Sequence, residues 1–301
     1  MLIDAAGLYF RAYYGLPESL TAPDGRPVNA IRGFLDMSAT LIERRKPTRY
    51  IACLDLDWRP EFRVELLPSY KTHRVAADGI AEEIPETLAP QVPLLLEVLA
   101  ALGIATSGAG GFEADDVIAT LAAQEEDAGE TVEIVTGDRD LMALATDHVT
   151  ILYTAQGLAK LGVLSATGVL EKYGVPAAHY ADFAVLRGDP SDGLPGVGGV
   201  GEKTAAMLVN SFGSVESILA AAESGADGLP APIAKKILAA RDYLALAPDV
   251  VRGRCDVPLA LTRGELPVEP ADPDRLEELV TQLGIAASVE RIRKAIRAAT
   301  S

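Results

Sequence analysis

The residues of this chain best suited to chemistry are acidic. Asp4 closes the first apolar run, Met1–Asp4, and Asp55 closes a second, Tyr50–Asp55. Asp138 and Asp140 follow a third, Val132–Thr136, within Thr136-Gly-Asp-Arg-Asp140. Glu113, Asp115 and Asp116 open a helical pattern in Gly111-Phe-Glu-Ala-Asp-Asp-Val, and Asp189 and Asp192 sit in Gly188-Asp-Pro-Ser-Asp-Gly. Gathered together, such carboxylates would raise one another's pKa and strain the fold unless a cation neutralised them. An all-oxygen donor set with no histidine or cysteine group nearby selects Mg2+ or Mn2+ over Zn2+. Two or more such ions, a pair roughly 3.5–4 Å apart, would suit hydrolysis of a phosphodiester. Each acid has a plainer reading taken singly. The dipole of a helix favours acids in its first turn, and Asp-Pro-Ser-Asp-Gly is ordinary turn chemistry. The case for a metal site rests on several apolar runs delivering acids to one sheet edge.

A second feature is Leu194-Pro-Gly-Val-Gly-Gly-Val-Gly-Glu-Lys-Thr-Ala205. Glycine-rich turns that enter helices present backbone N–H groups to phosphate. A dinucleotide loop would need a strand before it, and Tyr180–Leu186 reads as helix. A P-loop is excluded because Glu202 precedes Lys203. A hairpin between two helices, gripping a nucleic-acid backbone without reading its sequence, fits better. The plainer alternative is a tight helix–helix turn.

These residues need a scaffold. Met1–Asp4, Tyr50–Asp55, Val132–Thr136 and Val149–Tyr153 are continuous apolar, β-branched runs that predict strands buried on both faces. Helical spacing marks Asn29–Arg45, Val92–Leu102 and Ala114–Gln124. Strands alternating with helices predict an α/β fold with a mostly parallel sheet. From Trp58 to Glu97 the pattern is poor in core residues and rich in base, which suits a functional loop or a loose surface excursion. From about Thr167 small helices take over, at Val169–Tyr173, Tyr180–Leu186, Glu202–Phe212, Val215–Ala222 and Pro232–Leu244. Arg252–Leu259 reads as a short strand returning to the sheet, and Asp272–Ile285 and Ser288–Ala298 as closing helices. The expected division is an α/β domain over residues 1–166 and a helical domain over 167–301.

Net charge is −16, from 27 basic and 43 acidic residues, which alone argues against a nucleic-acid partner. The nine candidate ligands account for more than half of that excess, and local basic clusters matter more than the total. Arg59, Arg63, Lys71, His73 and Arg74 form one cluster, and Arg291, Arg293, Lys294 and Arg297 another. Cys53 and Cys255 have no metal-like spacing and read as free thiols of a reducing, cytoplasmic protein. No apolar stretch is long enough to cross a membrane.

Taken in order, these motifs resemble the bacterial 5′ nuclease family: the 5′-exonuclease domain of DNA polymerase I and its free-standing flap endonuclease relatives. Asp4, Leu54-Asp55, Ser69-Tyr-Lys-Thr-His-Arg74, Phe112-Glu-Ala-Asp-Asp116 and Thr136-Gly-Asp-Arg-Asp140 carry the likeness, with Gly188-Asp-Pro-Ser-Asp192 and the glycine segment. The resemblance implies a PIN-like sheet with a helical arch, followed by a helix–three-turn–helix (helix-hairpin-helix type) domain that binds duplex DNA. It implies structure-specific 5′-3′ exonuclease and flap endonuclease activity in replication and repair. Metal ligands would be Asp4, Asp55, Glu113, Asp115, Asp116, Asp138, Asp140, Asp189 and Asp192. Lys71 and Arg74 would contact the scissile phosphate, and Arg11 would face the DNA. Gly196, Gly198, Gly199, Gly201, Lys203 and Thr204 would hold the duplex, with K+ near the backbone oxygens of Val197 and Val200. Expected partners are flapped, nicked or gapped DNA and 5′ ends, with a replication or repair polymerase and ligase nearby. The enzyme would act as a nucleoid-associated monomer. Three positions depart from the family pattern: Ala5, Leu54 and Gly193 stand where Gly, Phe and Asn are usual. A PIN-type ribonuclease, a noncatalytic junction binder and a metal-dependent phosphatase are the rival readings.

Overall fold

In the computed structural model, which describes residues 1–77, 79 and 81–300, six strands form one sheet in the order β3-β2-β1-β4-β5-β6. They are β1 (Leu2–Asp4), β2 (Ile51–Cys53), β3 (Ala105–Ser107), β4 (Val132–Thr136), β5 (Val149–Tyr153) and β6 (Gly162–Leu164). All neighbours pair in parallel except β6, which runs antiparallel to β5. The chain winds outward from β1 to β2 and β3, then returns to place β4 on the other side of β1. The crevice between β1 and β4 is therefore the topological switch point, where open parallel sheets bind their ligands.

The four apolar runs are continuous because both faces of the sheet are covered. Ile3, Ala52, Val135 and Leu152 point into one core, under α1 (Ala5–Gly15), α2 (Asn29–Arg45) and α4 (Gln91–Leu102). Leu2, Ile51, Ile134 and Ile151 point into the other, beneath α5 (Ala114–Asp127). That second core continues without a break into the helical half. It takes in Phe183 of α7 (Tyr180–Arg187), Leu208 of α8 (Glu202–Phe212), Ile218 of α9 (Val215–Ser224) and Leu244 of α11 (Arg241–Val251). The two halves thus share apolar packing, at about 1.5–3 kcal/mol per fully buried large side chain.

Two closing helices stand where they were expected, and two other segments differ from the sequence reading. The last two helices, α12 (Pro273–Leu283) and α13 (Ala286–Thr300), pack on α4 and α2 at the back of the sheet, with Leu279 and Ile292 wholly buried there. Pro232–Leu244 is two helices, α10 (Ala231–Ala239) and α11, broken at Ala240. The break lets Ile237 and Leu244 both reach the core. Arg252–Leu259 forms no strand. It crosses α5 instead, held by the Thr120 hydroxyl, which donates to Arg254 O at 2.9 Å and accepts from Val257 N at 3.2 Å. Chain beyond that segment meets the sheet margin, where Tyr50 N donates to Gly264 O at 2.7 Å.

The stretch from Trp58 to Glu97 holds α3 (Glu61–Leu66), a 3-10 turn at Thr72–Arg74 and the start of α4. No long arch helix stands there among the described residues; positions 78 and 80 of that stretch lie outside them. The remaining helix, α6 (Ala166–Tyr173), leads into the helical half. Cys53 is buried and Cys255 exposed, and both are free. No single described helix is long and apolar enough to cross a membrane.

Candidate metal centre and nucleic-acid interface

Asp4 is both the last residue of β1 and the N-cap of α1. Its Oδ1 accepts from Gly7 N at 2.7 Å, and its Oδ2 accepts from the Thr136 hydroxyl at the end of β4 at 3.0 Å. Asp138 lies just past β4; its N–H donates to Thr136 Oγ1 at 2.9 Å and its Oδ1 accepts from Asp140 N at 2.8 Å. Thr136 therefore couples the acids on the two sides of the switch point. Asp55 stands two residues beyond β2 and accepts from Ala114 N, the first residue of α5, at 2.6 Å. Asp115 follows on that helix, and no hydrogen bond to its carboxylate is made among the described residues. The buried Oδ1 of Asp140 likewise has no partner.

The electrostatics of this group are those of crowded anions. Burial pushes the Asp4 carboxyl up to about 7, and Asp55 adds to the rise against the opposing bonds from Gly7 and Thr136. Asp115 and Asp140 are raised well above the usual carboxylate range, first by burial and next by Asp138. Asp192 is raised as well, by burial, with Lys71 working against it and Asp138 for it. Asp138 recurs because it is the common neighbour of the set. Buried carboxylates raised in this way would be stabilised as anions by a hard divalent cation.

Three of the nine expected ligands are otherwise engaged. Asp116 is fully buried, and its oxygens take both arms of the Arg63 guanidinium at 2.6 and 2.7 Å, Glu113 N at 3.2 Å and Arg254 N at 2.9 Å. Both of its oxygens are thus engaged within the protein in this structure. Glu113 takes Lys71 Nζ at 2.7 Å, the Tyr70 hydroxyl at 2.9 Å and Arg63 at 3.3 Å, and burial still lifts its carboxyl to about 7. Asp189 is occupied by Arg187 at 3.1 Å, Ser191 N at 3.0 Å and the Ser191 hydroxyl. The six with donor capacity to spare are Asp4, Asp55, Asp115, Asp138, Asp140 and Asp192. Among the described residues no three of the His, Cys, Asp and Glu side chains are arranged to close around one ion as they stand. Donor chemistry and charge fit a hard divalent cation.

The basic residues expected over the site are tied to its acidic loop. Lys71 adopts the left-handed backbone (φ 50°), its N–H donates to Asp192 O at 3.0 Å, and its ammonium reaches Glu113. Arg74 donates to Ser191 O at 2.8 Å and to Asp192 Oδ1 at 3.1 Å. The tight seam explains Gly193. Its φ is 74°, and a Cβ there would stand 2.2 Å from Ser69 O, so asparagine is excluded by the backbone itself. Gly193→Ala should cost about 2 kcal/mol or more, from left-handed strain plus the clash. Urea unfolding would show it, and an unchanged midpoint would mean the seam is not formed.

Arg11 of α1 lies beside Gly137, with its Nε buried and unpartnered. It lines a groove of ≈ 930 Å³ along α1 and α2 with Phe10, Tyr14, Arg44, Leu158 and Arg291. Tyr14 is 72% exposed there, its ring stacked on Phe10 with centroids 6.4 Å apart. In the glycine hairpin, Gly198, Gly199, Gly201 and Lys203 are exposed and Thr204 half-buried, while Val197 and Val200 anchor the turn in the core. Gly196 (φ 67°) backs directly on Gly188, where a Cβ would lie 2.6 Å from Gly188 N. Val197 O accepts from Val200 N at 2.9 Å, and Gly199 O takes the Lys236 ammonium at 2.9 Å. Sequence reasoning assigned no role to Tyr70, Thr136, Arg139, Arg187 or Lys236, and it grouped Arg63 with a local basic cluster; Arg63 is 2% exposed. Tyr70, Thr136 and Arg139 carried a local signal, since each sits within a quoted acidic or basic motif; Arg187 and Lys236 carried none.

Residues 1–174 match the family model described as the 5′-3′ exonuclease N-terminal resolvase-like domain, and residues 175–274 match the 5′-3′ exonuclease C-terminal SAM fold. The chain belongs to the 5′-3′ exonuclease family, and it is a nuclease. It is similar to a 5′-3′ exonuclease of Streptomyces coelicolor, 51% identical over 97% of this chain and 98% of the relative. A 5′-3′ exonuclease of Mycobacterium tuberculosis is 48% identical over 98% of this chain and 97% of its own length. Among solved structures, the T5 5′-exonuclease with bound zinc aligns over 100% of this chain and 97% of its own, with a TM-score of 0.64 at 18% identity, a likeness of fold.

Proposed function

We propose that the chain is a divalent-metal-dependent, structure-specific 5′ nuclease that removes DNA from 5′ ends and 5′ flaps. One observation carries the reading. Asp4, Asp55, Asp115, Asp138, Asp140 and Asp192 follow or border the sheet's switch point, and burial, reinforced by neighbouring carboxylates, raises Asp4, Asp115, Asp140 and Asp192 above the usual carboxylate range. These six would hold Mg2+ or Mn2+, which when bound supplies Lewis acidity toward the phosphodiester and a water of lowered pKa.

The protein's own groups supply placement. Lys71 and Arg74 sit at the rim of the acidic site and can exchange Glu113 and Asp192 for a phosphate oxygen, charge for charge. Arg11 and the neighbouring groove, with Phe10 and Tyr14 for stacking and Arg44 and Arg291 for phosphates, give single-stranded or junction DNA a path past the site. The exposed glycine turn and the N-terminus of α8 offer backbone N–H groups to a duplex phosphate, with Lys203 beside them. Any K+ held by the backbone of Val197 and Val200 would share this turn with the Lys236 ammonium.

The test is cleavage of a 5′-labelled flap duplex with Mg2+, with Mn2+ and with chelator, beside an RNA of the same sequence. Release of a short 5′ fragment only with metal, and much faster from DNA, is the expected result. Preference for RNA, or release undiminished by chelator, would sink the reading. Because the net charge is −16, binding should rest on local phosphate contacts and weaken steeply with salt.

A further inference from the structure

Arg63 is a charged residue with no access to substrate. It lies on α3, is 2% exposed, and spends its guanidinium entirely inside the protein. Nε donates to Val250 O on α11 at 2.8 Å, and the two Nη atoms fork onto Asp116. Nη1 also stands 3.3 Å from Glu113 Oε2, and the rings of Phe62 and Tyr70 lie 4.8 and 5.9 Å from the guanidinium carbon. Asp116 is the third residue of α5, and its second bond to Glu113 N closes the capping box of that helix. One planar cation therefore joins three elements: α3 at the basic segment, the first turn of α5 that carries Glu113 and Asp115, and the end of α11 in the helical half.

We propose that Arg63 is the positioning residue of the acidic site: by clamping Asp116 to α3 and α11 it fixes the orientation of the α5 first turn, and with it the carboxylates of Glu113 and Asp115. The inference rests on the reading of that site as a divalent-metal site. Among the described residues the Asp115 carboxylate makes no hydrogen bond, so its direction is set by the turn it rides on. That turn is held by the Asp116 fork, by Ala114 N on Asp55, and by the Arg254 N–H on Asp116 from the chain following α11. A bidentate fork defines both position and rotation, whereas a point charge defines position alone. Lysine at this position would keep the charge and lose the rotational hold. The same bolt makes the seating of the helical half on α5 a condition of a well-formed site, because Val250 O and Arg254 N both belong to the chain at that seam.

Direct Mn2+ binding by paramagnetic resonance, together with flap cleavage at graded Mn2+, tests this in four proteins: wild type, Arg63→Lys, Asp116→Asn and the double variant. Each is measured at a temperature where circular dichroism shows it folded. Loss of support behind a metal ligand weakens affinity about 10–100-fold. Each single variant should do so, with cleavage recovering as Mn2+ is raised. The double variant should be no worse than the weaker single one, because both changes break the same contact. A purely structural Arg63 would lower the melting temperature and leave Mn2+ affinity unchanged, which overturns the proposal. Asp116→Asn abolishing Mn2+ binding beyond recovery, with Arg63→Lys unaffected, would make Asp116 itself a ligand and also overturns it. Should Arg63→Lys not fold, Asp116→Asn decides alone by whether added Mn2+ restores cleavage. If the wild type binds no Mn2+, the metal-site reading falls first and this inference with it.

Discussion

Asp138→Asn should reduce flap cleavage by about 10³-fold or more while leaving DNA affinity unchanged or slightly improved. Asp138 is the neighbour that Asp4, Asp115, Asp140 and Asp192 share electrostatically. Removing its charge weakens the field at the centre of the cluster, where a cation would sit. The amide is isosteric, and its carbonyl oxygen can still accept from Asp140 N, so the loop after β4 should keep its shape. Metal-assisted hydrolysis draws several kcal/mol of transition-state stabilisation from the bound ion, and a loss of about 4 kcal/mol corresponds to about 10³-fold in rate. Removing an anion from a site that must receive phosphate should not weaken binding. Single-turnover cleavage and a fluorescence binding assay on the same labelled flap separate the two effects. Turnover within a few-fold of wild type would remove Asp138 from the site; equal loss of binding and cleavage would show a disturbed fold instead.

How much of this was legible beforehand follows from where the physical signals lie. The strands β1, β2, β4 and β5 were readable because burial on both faces leaves an unbroken apolar run. The edge strands β3 and β6 were not, because Ala105–Ser107 and Gly162–Leu164 are short and nearly featureless. The acids were legible as a group, since each lies at or near the end of an element: Asp4, Asp55 and Asp138 at or just past the carboxyl ends of strands, and Glu113, Asp115 and Asp116 at the start of α5. Which of them are free was not. The partners that saturate Asp116 lie on Arg63 and Arg254, 53 and 138 residues away, and no local pattern links them. For the same reason Arg63 could be read only as one member of a local basic cluster. A buried ion pair between distant elements leaves no periodicity on either one. Gly193 shows the converse: a departure from a family pattern whose cause, the Ser69 carbonyl, is visible only once the two loops are side by side.

The metal-free protein should lose stability as pH rises from about 4 to about 7, and a divalent ion should reverse that loss. Burial lifts Asp4 from 3.8 to about 7 and Glu113 from 4.5 to about 7 in the folded state. Between the unfolded and folded values the native chain holds protons that the unfolded chain has released. Stability changes with pH in proportion to protons bound by the unfolded state minus those bound by the native state, and here that difference is negative. Stability therefore falls through this window, and the full penalty stands above about pH 7. Asp115, Asp140 and Asp192, raised in the same direction, add to it. A divalent ion competes with those protons, so its benefit must grow as they leave. An ion at about 100 times its dissociation constant adds about 2.7 kcal/mol, several degrees of melting temperature for a chain of this size. Melting curves with chelator and with millimolar Mg2+, at about pH 5.5 and about pH 8, test the linkage. The ion should raise the melting temperature more at the higher pH. A chelated protein equally stable at both values would mean the acids are neutralised within the protein. A gain from Mg2+ that is larger at the lower pH would place the bound ion away from these carboxylates, because only there could it bind without displacing their protons.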